Sequence, residues 1–445
     1  MELRDRKVLV VGVGKTGMET VKFLLGKGTR VSVSDSSPAD KIAEQVKTLK
    51  DWSVSYETGG HSSAMFLSAD TIVLSPGVPF GIPPVREALE RGIEVISEVE
   101  LASRFIRKPT IAVTGSNGKT TTSTLIARIL EKNGRKVFLG ANIGTPLIQI
   151  ADDCGRYDIL VLELSSFQLQ GIESFRPDVS VILNVTPNHL DHHESFDEYA
   201  ESKMKIFSNQ TAEDWCIYKA DDPVIAGYVP AIKAGKIPFG AADVKNGVSY
   251  DGLGIKFGGD YYDLTGIKLR GRHNVENVMA AVAATTVMGC DPGLIREAVL
   301  GFDPLPHRIE YVGEIKGAKF YNDSKSTSPD ATLRALESLP PPIILIAGGK
   351  DKGVSFEPLR EMIEKKVKLM VLMGESRFRM EKDLGGKVGT SLAASLEEAL
   401  EKTLERIAPG DSVLFSPACS SFDMFRSYEE RGRRYKDLVR HFQLI

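Results

Sequence analysis

The chain is poor in cysteine, carries no excess of positive charge and has no long hydrophobic run. Its four cysteines, at positions 154, 216, 290 and 419, form no C-x-x-C pair. This argues against a zinc knuckle or a disulfide framework and favours a reducing compartment. With 56 basic and 59 acidic residues the net charge is −3, so no global positive field exists to hold nucleic acid or an anionic membrane. Any anionic ligand must therefore be bound by local groups.

The apolar run at residues 8–13 stops at glycines and is too short for a secretion signal or a membrane span. Low-complexity tracts and fixed-period repeats are absent as well. We therefore expect a cytoplasmic protein that neither inserts into membranes nor binds nucleic acid.

What the sequence does contain is three patterns in which a strand runs into a glycine-rich loop, at residues 7–17, 110–120 and 342–353. At about 150 residues per domain, the length also suits three domains. A stretch punctuated by proline at residues 302–308 is typical of a linker. The predicted domains span residues 1–98, 99–304 and 305–445.

In the first predicted domain, apolar runs alternate with helical patterns, which is typical of an α/β fold with a mostly parallel sheet. The predicted strands are 8–11, 31–34, 71–74 and 94–96 in the first domain, 111–113, 159–164 and 179–183 in the second, and 319–321, 343–346, 369–373 and 412–415 in the third. Ligands bind at the carboxyl ends of strands in such sheets, so the polar clusters that follow these strands are candidate sites.

The first glycine loop, Gly12-x-Gly14-x-x-Gly17, lies between a predicted strand and a predicted helix. Asp35 at the end of the next strand completes the pattern of a dinucleotide-binding fingerprint. The pattern indicates a phosphate near a helix N-terminus but does not identify the ligand that carries it. A nicotinamide or flavin cofactor, another nucleotide and a bare strand-to-helix turn all remain open.

The second glycine loop is more specific, because each residue type in Gly115-Ser116-Asn117-Gly118-Lys119-Thr120-Thr121 suits triphosphate chemistry. Backbone N–H groups of such a loop cradle phosphate oxygens, the lysine supplies a point charge, and a threonine hydroxyl can reach Mg²⁺. The spacing is two residues shorter than the usual G-x-x-x-x-G-K-[ST]. We predict a nucleoside triphosphate site; the alternative is a glycine turn with a surface lysine.

Acidic and histidine side chains follow the next two strands of the second domain. Glu163 suits Mg²⁺ as an oxygen ligand, and His189 is a possible nitrogen ligand. His189, Asp191, His192 and His193 also suggest zinc, but no second set of ligands has zinc spacing. We interpret His192 and His193 as exposed loop residues.

In the third domain, Ser328 and Pro329 fit the N-cap and first position of a helix. Lys325 and Thr327 have no capping role there, nor does Lys352 in the glycine loop that follows. They are therefore candidate binding residues.

Two further features near the C-terminus receive structural interpretations. Cys419 lacks an identifiable catalytic partner and is interpreted as a buried small residue. The basic stretch 431–434 is interpreted as a solvated helix face.

Together these motifs resemble the Mur ligases of peptidoglycan synthesis, and the resemblance covers essentially the whole chain. It rests on G-V-G-K-T-G at Gly12, T-G-S-N-G-K-T-T at Thr114, N-I-G at Asn142, E-L-S-S-F-Q-L at Glu163, N-V-T-x-x-H-x-D at Asn184, H-N-x-x-N at His273, P-H-R at Pro306, N-D-S-K-S-T at Asn322 and S-P-A-C-S-S-F-D-x-F at Ser416. The last two motifs indicate D-glutamate as the amino acid that is added.

The resemblance implies an α/β protein of three domains: a Rossmann-like N-terminal domain, a P-loop-type central ATPase domain with a parallel sheet, and a Rossmann-like C-terminal domain. It implies ATP-dependent ligation of D-glutamate to UDP-N-acetylmuramoyl-L-alanine through an acyl phosphate, giving ADP and phosphate. Two Mg²⁺ ions would serve as cofactors and ATP as co-substrate. We expect small molecules as the only partners and a monomeric protein.

The resemblance also assigns site residues, and it replaces the dinucleotide of the first loop by UDP. The residues implied for the UDP substrate are Lys15, Thr16, Asp35, Ser36, Ser37, Gly77, Asn142, Ser165 and His189. Those implied for ATP are Gly115, Ser116, Asn117, Gly118, Lys119, Thr120, Thr121, Asn277, Arg308 and Asp323. Those implied for D-glutamate are Lys325, Thr327, Lys352, Ser421 and Phe422. The metal ligands would be Thr120, Glu163, His189 and Lys203, and the catalytic residues Lys119, His189, Lys203 and Arg308.

Lys203 is implied as a metal ligand in carbamylated form. An unmodified lysine has three donors and no lone pair, so it would repel Mg²⁺, whereas addition of CO₂ makes it an anionic oxygen ligand.

Three other functions remain as alternatives. The chain is either another amide-forming ligase of the Mur or folylpolyglutamate type, a nucleotide-gated binding module without chemistry, or a nicotinamide dehydrogenase that uses the first glycine loop.

Overall fold

The computed structural model describes residues 3–187, 193–240, 244, 246–269 and 271–444. The chain divides into two compact units, the first comprising Met1–Thr265 with Glu276–Leu300 and the second Gly266–Val275 with Gly301–Ile445. Within this described part, no helix combines the length and the apolar character needed to cross a membrane.

The first unit begins with a five-stranded parallel sheet in the order β3-β2-β1-β4-β5. Its strands are β1 (Lys7–Val11), β2 (Arg30–Asp35), β3 (Ser55–Thr58), β4 (Thr71–Leu74) and β5 (Glu94–Ser97). Its helices are α1 (Lys15–Gly26), α2 (Ala43–Asp51), α3 (Ser63–Leu67), α4 (Pro83–Glu90) and α5 (Glu98–Ser103). The central strand β1 is apolar throughout its buried part because Val8 and Val10 join one hydrophobic core while Leu9 and Val11 join another.

A six-stranded parallel sheet follows in the same unit, in the order β11-β10-β9-β6-β8-β7. Its strands are β6 (Thr110–Thr114), β7 (Val137–Ala141), β8 (Ile159–Glu163), β9 (Val179–Ile182), β10 (Trp215–Lys219) and β11 (Gly235–Phe239). The helices in this part of the chain are α6 (Lys119–Lys132), α7 (Ser166–Gln170), α8 (Phe196–Met204), α9 (Pro223–Tyr228), α10 (Arg272–Val287) and α11 (Pro292–Leu300). Because β6 lies between β9 and β8, the loops that follow these three strands meet at one edge of the sheet.

A small antiparallel sheet is inserted after β11. It consists of β12 (Ser249–Tyr250), β13 (Gly254–Phe257) and β14 (Asp260–Asp263).

The second unit contains a six-stranded sheet in the order β15-β16-β20-β17-β18-β19. Its strands are β15 (Glu310–Ile315), β16 (Ala318–Asn322), β17 (Ile343–Gly348), β18 (Val367–Met373), β19 (Gly389–Leu392) and β20 (Ser412–Phe415). Its helices are α12 (Pro329–Ser338), α13 (Arg360–Lys366), α14 (Arg377–Leu384), α15 (Leu396–Leu404) and α16 (Tyr428–Gln443). The edge strand β15 runs antiparallel to β16, while the other pairs are parallel, so this sheet is mixed.

The predicted α/β class is therefore confirmed. The sequence did not predict the antiparallel strand β15 or the small antiparallel sheet of β12, β13 and β14.

Candidate active site

The first glycine loop connects β1 to α1 and depends on close packing of its own backbone. Gly12 has a φ of +87°, a conformation that side-chain-bearing residues rarely adopt. A Cβ atom on Gly17 would lie 1.8 Å from the carbonyl oxygen of Gly12. Glycine at both positions lets the first turn of α1 approach the end of β1.

Asp35, at the end of β2, holds this loop from the side. Its carboxylate oxygens accept hydrogen bonds from the backbone N–H of Val13 at 2.8 Å and of Ser37 at 2.7 Å. Lys15 donates to the carbonyl oxygen of Gly144 at 2.8 Å, so the first glycine loop contacts the loop after β7. The six residues predicted for UDP in the first domain lie at the end of β2 or follow β1, β2 or β4: Lys15, Thr16, Asp35, Ser36, Ser37 and Gly77.

The second glycine loop connects β6 to α6, and its two glycines are required by their neighbours. A Cβ atom on Gly115 would lie 2.9 Å from the Cβ of Leu183. Gly118, the N-cap of α6, has a left-handed φ of +85°, and a Cβ there would lie 2.3 Å from Oδ1 of Asn277. The structure thereby places Asn277, predicted for ATP, against this loop.

The loop is held in shape by Asn184, which follows β9. Its side-chain oxygen accepts a hydrogen bond from the backbone N–H of Asn117 at 2.8 Å, and its side-chain amide donates to the Asn117 carbonyl at 3.1 Å. The backbone N–H of Ser116 donates to the Asn184 carbonyl at 2.9 Å, and the Ser116 hydroxyl lies 2.8 Å from the hydroxyl of Tyr199. Asn184 and Tyr199 thus hold the loop from two sides.

Two lysines converge on the carbonyl oxygen of Gly115. Lys119 donates to it at 2.7 Å and to the Ser116 carbonyl at 3.0 Å, while Lys203 donates to it at 2.9 Å from α8. Lys203 is 1% exposed and its amine lies 4.6 Å from the centre of the Tyr199 ring. Burial lowers the pKa of Lys203 well below its ordinary value, and the charge of Lys119 lowers it further, against the opposing effect of Glu163.

Glu163, the last residue of β8, presents a carboxylate to the same edge of the sheet. It is 2% exposed, and its Oε1 accepts a hydrogen bond from the side-chain amide of Asn142 at 2.7 Å. Its buried Oε2 has no hydrogen-bond partner among the residues that the structure describes. A buried carboxylate oxygen without a donor is suited to a hard cation, so Glu163 fits the predicted magnesium site.

The histidine segment after β9 is described only from His193 onward. His193 is 4% exposed, stacks on Phe167 with ring centres 5.3 Å apart, and contacts the Ser166 hydroxyl at 2.9 Å. The interpretation of His193 as an exposed loop residue is therefore wrong, because the aromatic ring of α7 covers it. His189 and His192 lie outside the described residues.

Ser165, predicted for the UDP substrate, forms the N-cap of α7. Its hydroxyl accepts the backbone N–H of Gln168, whose side chain accepts the Ser165 N–H in return. This capping box fixes the serine beside the end of β8.

In the second unit, Asp323 follows β16 and is buried. Its Oδ1 accepts the backbone N–H of Ile309 at 3.2 Å, and its Oδ2 accepts the Ser416 hydroxyl at 2.7 Å. Burial raises the pKa of Asp323 to about 6, although its hydrogen bonds and the charge of Arg308 oppose the rise. Arg308 and Asp323 thus lie near each other, as their shared prediction for ATP requires.

The residues predicted for D-glutamate come from three loops of this unit. The amine of Lys352 lies 3.4 Å from the carbonyl oxygen of Thr327, and the amine of Lys325 lies 5.2 Å from the centre of the Tyr428 ring. Ser421 is buried, whereas the neighbouring Phe422 is 69% exposed.

Arg431, on α16, ties two of these loops together. Its guanidinium donates to the Ser324 hydroxyl and carbonyl at 3.0 and 2.8 Å, and to the carbonyls of Cys419 and Ser420 at 3.1 Å each. It is 1% exposed, so the interpretation of 431–434 as a solvated face is wrong for Arg431. Burial lowers the pKa of Arg431 to about 10, which leaves it charged at neutral pH.

Cys419 is confirmed as a buried small residue. It is 2% exposed, its sulfur lies 3.2 Å from the Ser376 hydroxyl, and burial raises the pKa of its thiol to about 11. A thiol with that pKa is a poor nucleophile at neutral pH.

Comparison with protein families matches three consecutive segments of the chain to domains of one family. Family models match residues 6–97 (Mur ligase MurD-like, N-terminal domain), 113–285 (Mur ligase middle domain) and 307–419 (Mur ligase, glutamate ligase domain). The chain is 46% identical over 450 aligned residues to a protein of Citrifermentans bemidjiense named UDP-N-acetylmuramoylalanine--D-glutamate ligase, which covers 99% of this chain and 98% of the relative. The chain belongs to the Mur ligase family.

Other Mur ligases agree with this assignment. A protein of the same name from Geotalea uraniireducens is 44% identical, covering 99% of this chain and 98% of the relative. Among solved structures, the MurF ligase of Thermotoga maritima in complex with ADP superposes with a TM-score of 0.62 at 20% identity, covering 100% of this chain and 96% of that one. UDP-N-acetylmuramate-alanine ligase MurC of the same organism gives 0.59 at 19% identity, covering 98% and 99%. These structures share the fold.

Three residues that shape the candidate site in this Mur ligase were not predicted to do so: Asn184, Tyr199 and Arg431. Asn184 opens the N-V-T-x-x-H-x-D motif, which was recognised for His189, and Tyr199 lies four residues before Lys203. Arg431 carried a signal of its own, since it shares a helix face with Tyr435, Leu438 and Val439, all of them buried.

Proposed function

We propose that this protein uses ATP to join D-glutamate to the alanine carboxyl group of UDP-N-acetylmuramoyl-L-alanine, with release of ADP and phosphate. The observation that carries the proposal is the full-length similarity, at 41 to 46% identity, to relatives named for this reaction. The preformed Gly115 loop and its lysines support it, because the reaction needs a triphosphate site.

The reaction proceeds in two balanced steps in this proposal. A carboxylate oxygen of the substrate attacks the γ-phosphorus of ATP, the bond to the β-phosphate oxygen breaks, and an acyl phosphate and ADP result. The amine of D-glutamate then attacks the acyl carbon, loses a proton and expels phosphate, which leaves an amide.

Lys119 and the Gly115 loop supply the electrostatic part of the first step. The substrate carboxylate and the triphosphate of ATP are both anionic and must meet there. Positive charge held in a buried site offsets their repulsion more strongly than it does in water. The bonds from Lys119 to the carbonyls of Gly115 and Ser116 keep its charge within the loop. Its role is to stabilise charge on the transferred phosphoryl group.

Glu163, Thr120 and His189 are the side chains that we propose to hold Mg²⁺, together with Lys203 after carbamylation. Bound Mg²⁺ neutralises phosphate charge and so favours attack by a carboxylate. The orphaned Oε2 of Glu163 supports its place in this set, while Asn142 orients the other oxygen.

The lowered pKa of Lys203 supports its carbamylation. A neutral amine has a lone pair that attacks CO₂, forming a nitrogen–carbon bond and releasing a proton to give a carbamate. The product is anionic and would place a negative charge beside Lys119 at the Gly115 loop. ¹³C NMR of the protein in ¹³C-bicarbonate should show a carbamate resonance that the K203R variant lacks; its presence in K203R would assign it elsewhere.

The test of the proposed function is phosphate release from ATP in the presence of UDP-N-acetylmuramoyl-L-alanine, with and without D-glutamate. We expect sustained release only with D-glutamate, and little with L-glutamate, L-alanine or diaminopimelate. No release with any amino acid would favour a nucleotide-gated binding module, and release with diaminopimelate instead would indicate another amide-forming ligase.

The K119A variant should lose about 100-fold or more of this activity, because it removes the phosphate-facing charge while α6 remains intact. Lys132, at the other end of α6, provides a matched control: it pairs at the surface with Glu297, and K132A should retain activity. Normal turnover by K119A would contradict the assignment of the Gly115 loop.

A further inference from the structure

A cavity of about 760 Å³ opens at the amino ends of the strands in the six-stranded parallel sheet of the first unit. The Gly115 loop lies at the other end of these strands. The cavity is bounded by the segment that connects α5 to β6 and by the amino ends of β6 and β8, including Thr110 and Leu160. Thr110 and Thr114 are the two ends of β6, and a strand of five residues spans about 13 Å between its terminal Cα atoms. The cavity is therefore separate from the nucleotide site.

The floor of the cavity is apolar. Ile106, Leu147, Leu160, Leu162 and Phe175 line it, and each is at most 7% exposed overall. The volume lies within the range of small-molecule sites, about 300 to 1,000 Å³, which bury most of a ligand against such surfaces.

The rim of the cavity is cationic. Arg104, Arg107, Lys108 and Arg176 line it, against a single carboxylate, Asp178. Carboxylates outside the lining compensate part of this charge, because Arg104 and Arg176 form ion pairs with them.

Two of the four cations are neutralised within the protein. Arg104 pairs with Glu94 at 2.7 Å and Glu100 at 2.8 Å, and Arg176 pairs with Asp214 at 2.7 Å. Arg104 and Arg176 therefore line the cavity without offering a free charge to a ligand.

The other two cations have no carboxylate partner among the residues described. Arg107 donates to the backbone carbonyls of Ser103 at 3.2 Å and Ile106 at 3.0 Å, which fix its guanidinium at the rim without neutralising it. Lys108 follows it in the chain and forms no ion pair in the described structure. Their charges are available to a ligand.

We infer that this cavity is a second small-molecule site, one that takes an anion (a carboxylate, sulfonate or phosphate) attached to an apolar group. The apolar part occupies the floor formed by Leu147, Leu160 and Phe175, and the anionic group contacts Arg107 and Lys108. The proposal does not depend on the ligase reaction.

The test uses 8-anilinonaphthalene-1-sulfonate, which joins a sulfonate to aromatic rings and fluoresces in apolar surroundings. The full chain is titrated with the dye in saturating Mg²⁺-ATP and UDP, so that nucleotide sites do not compete for it. We expect saturable binding to persist. Its disappearance on addition of nucleotide would place the dye in the nucleotide site and overturn the inference.

Charge reversal then tests the rim. The double variant R107E/K108E should weaken dye affinity at least about tenfold, since each reversal replaces an attraction to the sulfonate by a repulsion. K233E/K236E, at two exposed lysines of the same unit, changes the net charge equally and should leave affinity within about twofold. Equal affinities of the two variants would contradict the site; thermal unfolding checks that both fold.

Trp215 reports the location of the dye. Its backbone N–H donates to the carbonyl of Asp178, a cavity residue, at 2.9 Å, and the chain has only one other tryptophan, Trp52. In a W52F background, dye in the cavity should quench Trp215 and gain sensitised emission. Quenching that R107E/K108E abolishes supports the site, and the absence of energy transfer overturns it.

Discussion

Burial of Asp323 disfavours the ionised form of its carboxyl group. Its pKa, raised to about 6, exceeds the value of about 3.9 for an unfolded aspartate, so the folded protein binds this proton more tightly. The contribution of Asp323 to stability is therefore greatest below about pH 4 and is lost as the pH rises through about 6. Such a cost is typical of a carboxylate retained for function.

We expect D323N to be more stable than the wild type at pH 7.5, by about 2 to 3 kcal/mol, and nearly equal to it at pH 4. An asparagine can still accept the Ile309 N–H and donate to the Ser416 hydroxyl, so the loss of charge dominates. Ligase activity should fall, because the carboxylate is absent. Urea unfolding at the two pH values measures the difference in free energy.

D437N is the control for this experiment, because Asp437 has an exposed side chain on α16 of the same unit. Its removal should change stability by less than about 0.5 kcal/mol at either pH. If D323N were less stable than the wild type at both pH values, the hydrogen bonds of Asp323 would outweigh its desolvation.

At the scale of elements, the sequence predicted most strands inside the large sheets and missed most strands at their edges. The two exceptions are the edge strand β5, which it predicted, and the interior strand β10, which it missed. The strands that it recognised in the first two domains include the central β1, β4, β6, β8 and β9, whose side chains are covered on both faces and form apolar runs. The strands that it missed include β3, β7, β11, β15 and β19, all at sheet edges. An edge strand such as Ser55–Thr58 is partly exposed and lacks an apolar run, so periodicity alone does not identify it.

The candidate site was predicted where local motifs define it and missed where distant contacts do. Gly115, Lys119 and Glu163 follow strands in recognisable patterns, whereas the role of Arg431 depends on two loops more than 10 and 100 residues away in the chain. A single sequence does not contain that pairing. Composition also misled, because four consecutive residues with three arginines suggested a water-facing surface.

The first turn of α1 gives a prediction about an element. G17A should lower the free energy of unfolding by about 3 kcal/mol or more, because its Cβ would lie 1.8 Å from the Gly12 carbonyl oxygen and the loop must shift. UDP affinity should fall with it. Chemical denaturation and calorimetric titration measure the two effects.

Gly26, at the other end of the same helix, is the matched control. A Cβ there would meet no atom within 4 Å. G26A should therefore retain UDP affinity and stabilise the protein by up to about 1 kcal/mol, since alanine favours helix over glycine. Equal destabilisation by both substitutions would contradict the assignment of the effect to the close approach of Gly17 and the Gly12 carbonyl oxygen.

At the scale of the molecule, the two compact units each have their own hydrophobic cores. We expect two transitions in differential scanning calorimetry, since separate cores need not melt together. UDP at 100 times its Kd should stabilise the first unit by about 2.7 kcal/mol and raise only its transition, because its proposed residues lie within that unit.

D323N identifies the other transition, since Asp323 belongs to the second unit. At neutral pH this substitution should raise the transition that UDP leaves unchanged. A single transition that responds to both changes would mean that the two units unfold as one cooperative body.

The contacts that brace the Gly115 loop also determine when this loop can fold during synthesis of the chain. The loop depends on Asn184, 67 residues later than Asn117, and on Lys203, 88 residues later than Gly115. On the ribosome the first sheet, complete at Ser97, is available to fold before any of these partners has emerged. The triphosphate loop acquires its bracing only after α8 has left the exit tunnel, so a nascent chain that ends before Lys203 carries the loop sequence without its native support.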